Sequence, residues 1–387
     1  MKYKNKLVRT LSLLVIILSS CNKEVIVPKE VSVINDELPS SLSIHTEEQK
    51  ELLESEDPAY LIENNSASFG RMSNSKPLPV SLSWKEENDI DQAADEYVIK
   101  ISESSDLSNP LIYKAKETTF DVYNLKINTQ YYYSVSSNHS GHYFSSEIND
   151  FIIEESAPRN LFIEGVENCR DLGGWNIGEG RTYKQGMIYR TAQFNYGGGL
   201  NTFISEPTSY GKSVLVDELK IKTDIDLRRT VAFDGEDEVN GISSSPLGNE
   251  VKYVSAPMYY GRKNIFTQEE NIDSIKLFFS TLADESNYPI AFHCLRGTDR
   301  TGALAYVIGA LVGMNEEDLL LDYLFSDLAN ISTPVKKSTI DGDDFYIKGI
   351  QNSDGDTLSI KAKNYLMNTV GVSEDTLNKI IDILVEE

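Results

Sequence analysis

A cysteine and an arginine stand with five residues between them in the stretch His293-Cys294-Leu295-Arg296-Gly297-Thr298-Asp299-Arg300-Thr301-Gly302. A free thiol has a pKa near 8.5, and a helix N-terminus with neighbouring cations lowers that value, so a cysteine in such a place is a thiolate nucleophile. The spacing lets the loop curl round a tetrahedral oxyanion. Gly297 gives the backbone the freedom that successive N–H groups need to turn inward as an anion-binding nest. Arg300 has the planar fork that binds two phosphate oxygens at once. Leu295, Arg296, Gly297, Thr298, Asp299 and Arg300 are therefore the candidate phosphate loop, with Cys294 as nucleophile. Thr301 can offer its hydroxyl to the sulfur, and His293 reads as a fixed hydrogen-bonding neighbour. The chemistry is attack of a thiolate on phosphorus, which needs no metal and no organic cofactor.

Such a loop must be held by a strand before it and a helix after it. Ile290, Ala291 and Phe292 read as a short buried strand, and TGALAYVIGALVG after Arg300 suits a buried helix whose positive end faces the loop. Asn271 to Leu282 places Ile272, Ile275, Leu277, Phe278 and Phe279 at helical spacing. Further strands are expected in MIYRTAQ, ending at Arg190 and Thr191, in IKTDIDLRR and at Val251–Val254, with a helix around Val214 to Leu219. Asn315 caps EEDLLLDYLFSDLAN, whose Leu and Tyr stripe reads as core, and Ser373 caps the last helix.

The loop resembles that of the cysteine-dependent tyrosine phosphatases. Its Asp299-Arg300-Thr301-Gly302 ending is similar to the bacterial members with an HCxxGKDRTG loop, some of which also accept phosphoinositides. Thr298 stands where those proteins have lysine, which weighs against highly charged inositol lipids, while Arg296 points to partial compensation. ENCRDLGGW is similar to the family's Asn-x-Arg-Asp-Leu-Gly-Gly motif over Asn168, Arg170, Asp171, Leu172, Gly173 and Gly174. The resemblance implies that this segment packs near the loop, with Arg170 and Asp171 bracing it, and that Arg190 belongs to a Tyr-Arg-Ser-like element. It also implies an α/β domain over residues 157–387, a central sheet flanked by helices. A phosphatase of this type needs an acid for the departing oxygen and then a base for water. Asp226, in a segment resembling the family's Asp-Leu-Arg element, is the first candidate and Asp299 the second. A structural carboxylate paired with Arg228 or Arg190 is the competing reading of Asp226. The implied activity is hydrolysis of phosphotyrosine-containing proteins or small phosphorylated substrates through a phosphocysteine. An inositol phosphate or phosphoinositide phosphatase is the alternative, and a phosphoprotein-binding surface module is the reading from another class.

The rest of the chain sets the context. A net charge of -24 disfavours nucleic acid and general attraction of phosphorylated partners, so selectivity must come from a local basic pocket. Lys2, Lys4, Lys6 and Arg9 precede the apolar run Leu11 to Leu18, and Leu18-Ser19-Ser20-Cys21 resembles a bacterial lipobox. Residues 1–21 are thus expected to be a lipoprotein signal peptide with Cys21 lipidated, giving an exported, membrane-anchored protein. Asn22 after it favours the outer membrane by resemblance to known sorting rules. Residues 22–76 read as an acidic flexible linker, with at best a short helix near Glu47 to Glu54. From Pro77, alternation at Val80, Leu82 and Trp84, at Tyr97, Ile99 and Ile101, and at Tyr131, Tyr133 and Val135 predicts an all-β sandwich. Residues 77–156 resemble a fibronectin type III domain through Trp84 and the Leu125-to-Tyr131 spacing. His139 and His142 read as turn residues rather than metal ligands. With Cys21 lipidated, Cys169 and Cys294 remain, a candidate pair for a reversible disulfide in an oxidising compartment. The oligomeric state is left open by the sequence.

Overall fold

Period-two alternation becomes sheet in the N-terminal half. The computed structural model describes residues 28, 30–64, 75–89, 92–195, 204–229, 242–259, 265–331, 335–337, 340 and 347–387. Cys21, the glycines at 197–199, which the sequence suggests as a flexible connector, and residues 231–241 of the acidic, turn-rich stretch 231–250 lie outside the described residues. Strands β1 (Val31–Asn35), β2 (Ser41–Leu42), β3 (Val80–Asn88), β4 (Glu96–Ser102), β5 (Leu111–Ala115), β6 (Thr119–Val122), β7 (Thr129–His139), β8 (His142–Ser145) and β9 (Asn149–Ile153) form two sheets. One has the order β1-β3-β6, the other β2-β9-β7-β4-β5 with β8 on β7. Val80, Leu82 and Trp84 from the first share one core with Tyr97, Ile99, Ile101, Tyr131, Tyr133 and Val135 from the second, as inward residues two apart must. The Trp84 ring meets Tyr97 edge-on at 5.2 Å, and the Tyr131 hydroxyl accepts from the Lys126 N–H at 2.8 Å. His139 is a buried partner of Glu86 at 2.9 Å.

The expected flexible linker is not one over residues 31 to 64. β1 joins the sandwich, and two short helices, α1 (Glu47–Leu53) and α2 (Pro58–Asn64), follow. Leu52, Ala59 and Ile62 are buried in the same cluster as Phe325 and Leu328 of the C-terminal half. His45 is buried with Nδ1 3.0 Å from Ser156 Oγ and Nε2 2.9 Å from Pro158 O. The composition misled because each short element buries only one or two apolar residues, too few to show a period. A capping box between Thr46 and Gln49 starts α1.

The C-terminal half is α/β. Its strands are β10 (Arg170–Asp171), β11 (Thr182–Tyr183), β12 (Ile188–Thr191), β13 (Thr223–Asp226), β14 (Lys252–Ser255), β15 (Ile290–His293) and β16 (Val385–Glu386). The main sheet runs β10-β12-β15-β13-β14, parallel except for β10. The helices are α3 (Ser209–Ser213), continued by a π-helical turn to Glu218, α4 (Glu269–Leu282), α5 (Asp299–Val312), α6 (Glu316–Leu324), α7 (Lys348–Gln351), α8 (Leu358–Tyr365) and α9 (Glu374–Leu384). Ile188, Ile225, Ile290 and Phe292 bury one face of the sheet against α4, α5, α8 and α9. Tyr189 and Ala291 bury the other against Leu161, Phe194 and Leu215. Both faces are covered, as a parallel sheet requires. The carboxyl ends of four parallel strands share one edge, the edge at which ligands bind in open α/β sheets. Among the described residues no helix is long and apolar enough to cross a membrane.

Candidate active site

Between β15 and α5 the chain turns through Cys294 to Thr298, and the four carbonyls from Cys294 to Gly297 each meet a partner. His293 Nδ1 lies 3.1 Å from Cys294 O, and the Gln193 N–H donates to Leu295 O at 3.1 Å. Asn168 Nδ2 donates to Arg296 O at 3.0 Å and Arg190 Nη2 to Gly297 O at 2.8 Å. A trans peptide points its N–H opposite its C=O. The amides of Leu295, Arg296, Gly297 and Thr298 are therefore turned the other way, and those of Leu295, Gly297 and Thr298 donate to nothing among the described residues. Gly297 has φ +72, and a Cβ there would lie 2.5 Å from Thr191 O, so glycine is needed for the turn and for the close approach. Thr298, the N-cap of α5, makes no side-chain capping bond, which leaves the positive helix end facing the same space.

Cys294 is 2 % and Arg300 4 % exposed, so both side chains are buried. Arg300 Nη1 lies within reach of Leu227 O at 3.3 Å and Met258 O at 3.4 Å, carbonyls just beyond β13 and β14. Thr301 Oγ1 is buried and makes no hydrogen bond among the described residues, the Cys294 sulfur included. His293 Nε2 sits 3.1 Å from Asp224 Oδ1, whose other oxygen accepts from Ser245 Oγ at 2.7 Å. Both ring nitrogens are thus engaged, one by the Cys294 carbonyl and one by Asp224.

Buried ion pairs surround the loop. Arg170 donates from Nε to Asp322 Oδ1 at 2.8 Å and from Nη1 to Asn168 Oδ1 at 2.6 Å, while Arg190 Nη1 donates to Asp322 Oδ2. Burial and then the Arg190 charge pull Arg170 down to about 10. Burial pushes Asp322 up, but the two guanidiniums outweigh it and hold its carboxyl below the usual range. Asp171 pairs with Arg159 at 2.7 Å and accepts from the Gly173 and Gly186 N–H groups. Arg170 and Asp171 thus brace different things: Arg170 the loop, Asp171 the Gly173–Gly174 turn.

With this geometry in place, residues 161–387 match the model of the tyrosine phosphatase family. The chain belongs to the tyrosine phosphatase family. A comparison with curated proteins gave no match. Among solved structures, the core catalytic domain of the PP-IP phosphatase SIW14 from S. cerevisiae, in complex with citrate, is 18% identical, with 41% of this chain and 77% of that one covered and a TM-score of 0.26. P. aeruginosa TpbA is also 18% identical, covering 48% of this chain and 91% of its own, with a TM-score of 0.28.

In this phosphatase Asp226, the first acid candidate, is held on both oxygens by Arg228 and Tyr253. Its Oδ1 accepts from Arg228 N at 2.9 Å and Nε at 3.0 Å, and its Oδ2 from Arg228 Nη2 at 2.7 Å and Tyr253 OH at 3.1 Å. Burial raises its pKa, but His293 and Arg228 together outweigh that and hold the carboxyl below its ordinary value. Asp299 is half-buried in the first turn of α5, beside Arg300. Cys169 and Cys294 are both free. The Cys169 thiol faces Val166 O and Glu167 O and packs with Leu161 and Phe194, whereas Cys294 belongs to the other core cluster. Burial, followed by Glu167, pushes the Cys169 thiol well up. Sequence reasoning missed Asp224, Gln193, Asp322 and Ser326. For Asp322 a signal existed: it is an acid among the apolar positions of LLLDYLF.

Proposed function

We propose that the phosphatase is a cysteine-dependent phosphomonoesterase acting on phosphotyrosine-type esters. The outward fixing of four successive carbonyls carries this reading, because it presents inward amides, a helix end and one guanidinium to a phosphoryl group above a cysteine. The Cys294 thiolate forms a sulfur–phosphorus bond as the phosphorus–oxygen bond breaks, and Asp299 gives its proton to the departing oxygen. Asp299 then takes a proton from water, whose oxygen attacks phosphorus and returns the thiolate. Leu295 to Arg300 hold the equatorial oxygens. The fibronectin type III-like sandwich serves as a spacer, and the lipobox-like Cys21 anchors the exported protein through lipid. The test is hydrolysis of p-nitrophenyl phosphate in the presence of chelator, compared with Cys294→Ser. A release panel of phosphotyrosine, phosphoserine and phosphothreonine peptides, phosphoinositides and inositol phosphates then ranks substrates. A clear preference for inositol phosphates would replace the phosphotyrosine assignment while leaving the thiolate chemistry in place.

A further inference from the structure

One carboxylate on α6 reaches two adjacent peptide units of the phosphate loop. From Asp322 Oδ2 the contact passes through the Arg190 guanidinium to Gly297 O. From Asp322 Oδ1 it passes through Arg170 and Asn168 to Arg296 O. Ser326, one turn on, accepts from Arg170 Nη2 at 2.8 Å and from Arg190 Nη2 at 3.5 Å, and Asp322 O takes a further Arg170 bond at 2.6 Å. We infer that Asp322, supported by Ser326, is a positioning residue for phosphate binding: it sets two guanidiniums that turn the Arg296 and Gly297 carbonyls outward and their following amides inward. The inference rests on the reading that this loop takes a phosphoryl group.

The geometry explains why a carboxylate is needed there. Arg170 and Arg190 are fully buried and close enough for their charges to repel, and one shared bidentate partner holds both in fixed directions. Two guanidiniums against one carboxylate also leave a net positive charge behind the loop, in a chain whose total is -24. An uncharged side chain at position 322 would release both arms at once. Loss of one arm should matter less than loss of both.

Titration calorimetry with inorganic phosphate on the full chain tests this directly, with wild type, Asp322→Asn and Asn168→Asp compared. Asn168→Asp keeps a residue tolerant of its positive φ and keeps the acceptor for Arg170, but removes the donor to Arg296 O. Circular dichroism establishes that each variant is folded. Asp322→Asn is expected to weaken phosphate binding roughly tenfold or more, the scale of a charge-assisted hydrogen bond, and Asn168→Asp to weaken it by a smaller factor. Unchanged affinity in folded Asp322→Asn, even with a lowered melting temperature, overturns the inference. If Asp322→Asn does not fold, Asn168→Asp decides: unchanged affinity overturns the inference, weakened affinity supports it. The readout is binding, so it is separate from turnover. Wild type that binds phosphate yet hydrolyses no ester would sink the enzymatic reading and leave this one standing.

Discussion

On the proposed mechanism Asp226 and Asp299 are carboxyl groups with different tasks. Asp226 is saturated by Arg228 and Tyr253, so Asp226→Asn breaks a buried ion pair, a change that costs about 3–5 kcal/mol in stability. We expect urea unfolding to register that loss, and any fall in activity to be the same for good and poor leaving groups. Asp299→Asn should behave in the opposite way. Removal of a general acid costs about 10²–10⁴-fold, and that cost should appear with phenyl phosphate and largely vanish with p-nitrophenyl phosphate, whose leaving group needs no proton. A leaving-group dependence found in Asp226→Asn instead would reverse the assignment.

At the scale of elements, the loop between β15 and α5 is rigid because it is tied on its outer side by β12, by the Asn168 segment and by α6. Gly297 is where that arrangement is tightest, since a methyl group would collide with Thr191 O at 2.5 Å. Gly297→Ala should therefore abolish measurable phosphate binding while most of the remaining fold persists, as judged by calorimetry beside circular dichroism. Normal phosphate affinity in that variant would mean the cradle is not built as described. The strand, the loop, Cys294 and Arg300 were legible because they lie within one short stretch of sequence. Asn168, Arg170 and Arg190 were legible through resemblance. Asp322 and Asp224 were not: the acid among the apolar positions of LLLDYLF stands out locally, but its partners Arg170 and Arg190 come from distant parts of the chain, as His293 does for Asp224. The Asp-Leu-Arg context of Asp226 does not show whether the carboxylate faces substrate or folds back on Arg228, because the same residues serve either arrangement.

Across the whole molecule, residues 31 to 64 tie the sandwich to the phosphatase half. Gln185 exchanges two hydrogen bonds with the Ile127 backbone at 3.0 and 2.9 Å, and Arg159 donates to Leu125 O at 3.1 Å, so the halves also meet directly. Leu52 is fully buried beside the C-terminal half, and Leu52→Ala should cost about 2–5 kcal/mol, measured as a lowered urea midpoint. A linker residue would cost nothing. His45 adds a pH dependence. Burial is the largest influence on it and lowers its pKa from 6.5, so the unfolded chain takes up a proton before the folded one does. Its contribution is present above about 6.5 and is lost as pH falls from there through the folded value. Thermal melts from pH 7.5 to 5.5 should show stability falling. His45→Gln, which can still donate to Pro158 O, should flatten part of that slope, and an unchanged slope would remove His45 as its source.

The central claim is that phosphorus is transferred to the Cys294 sulfur. Acid quenching during turnover of a radiolabelled phosphomonoester, followed by digestion and mass spectrometry, reads it directly. Label on the peptide containing Cys294, absent from Cys294→Ser, is the expected result. Label on another residue, or undiminished turnover by Cys294→Ser, would contradict it.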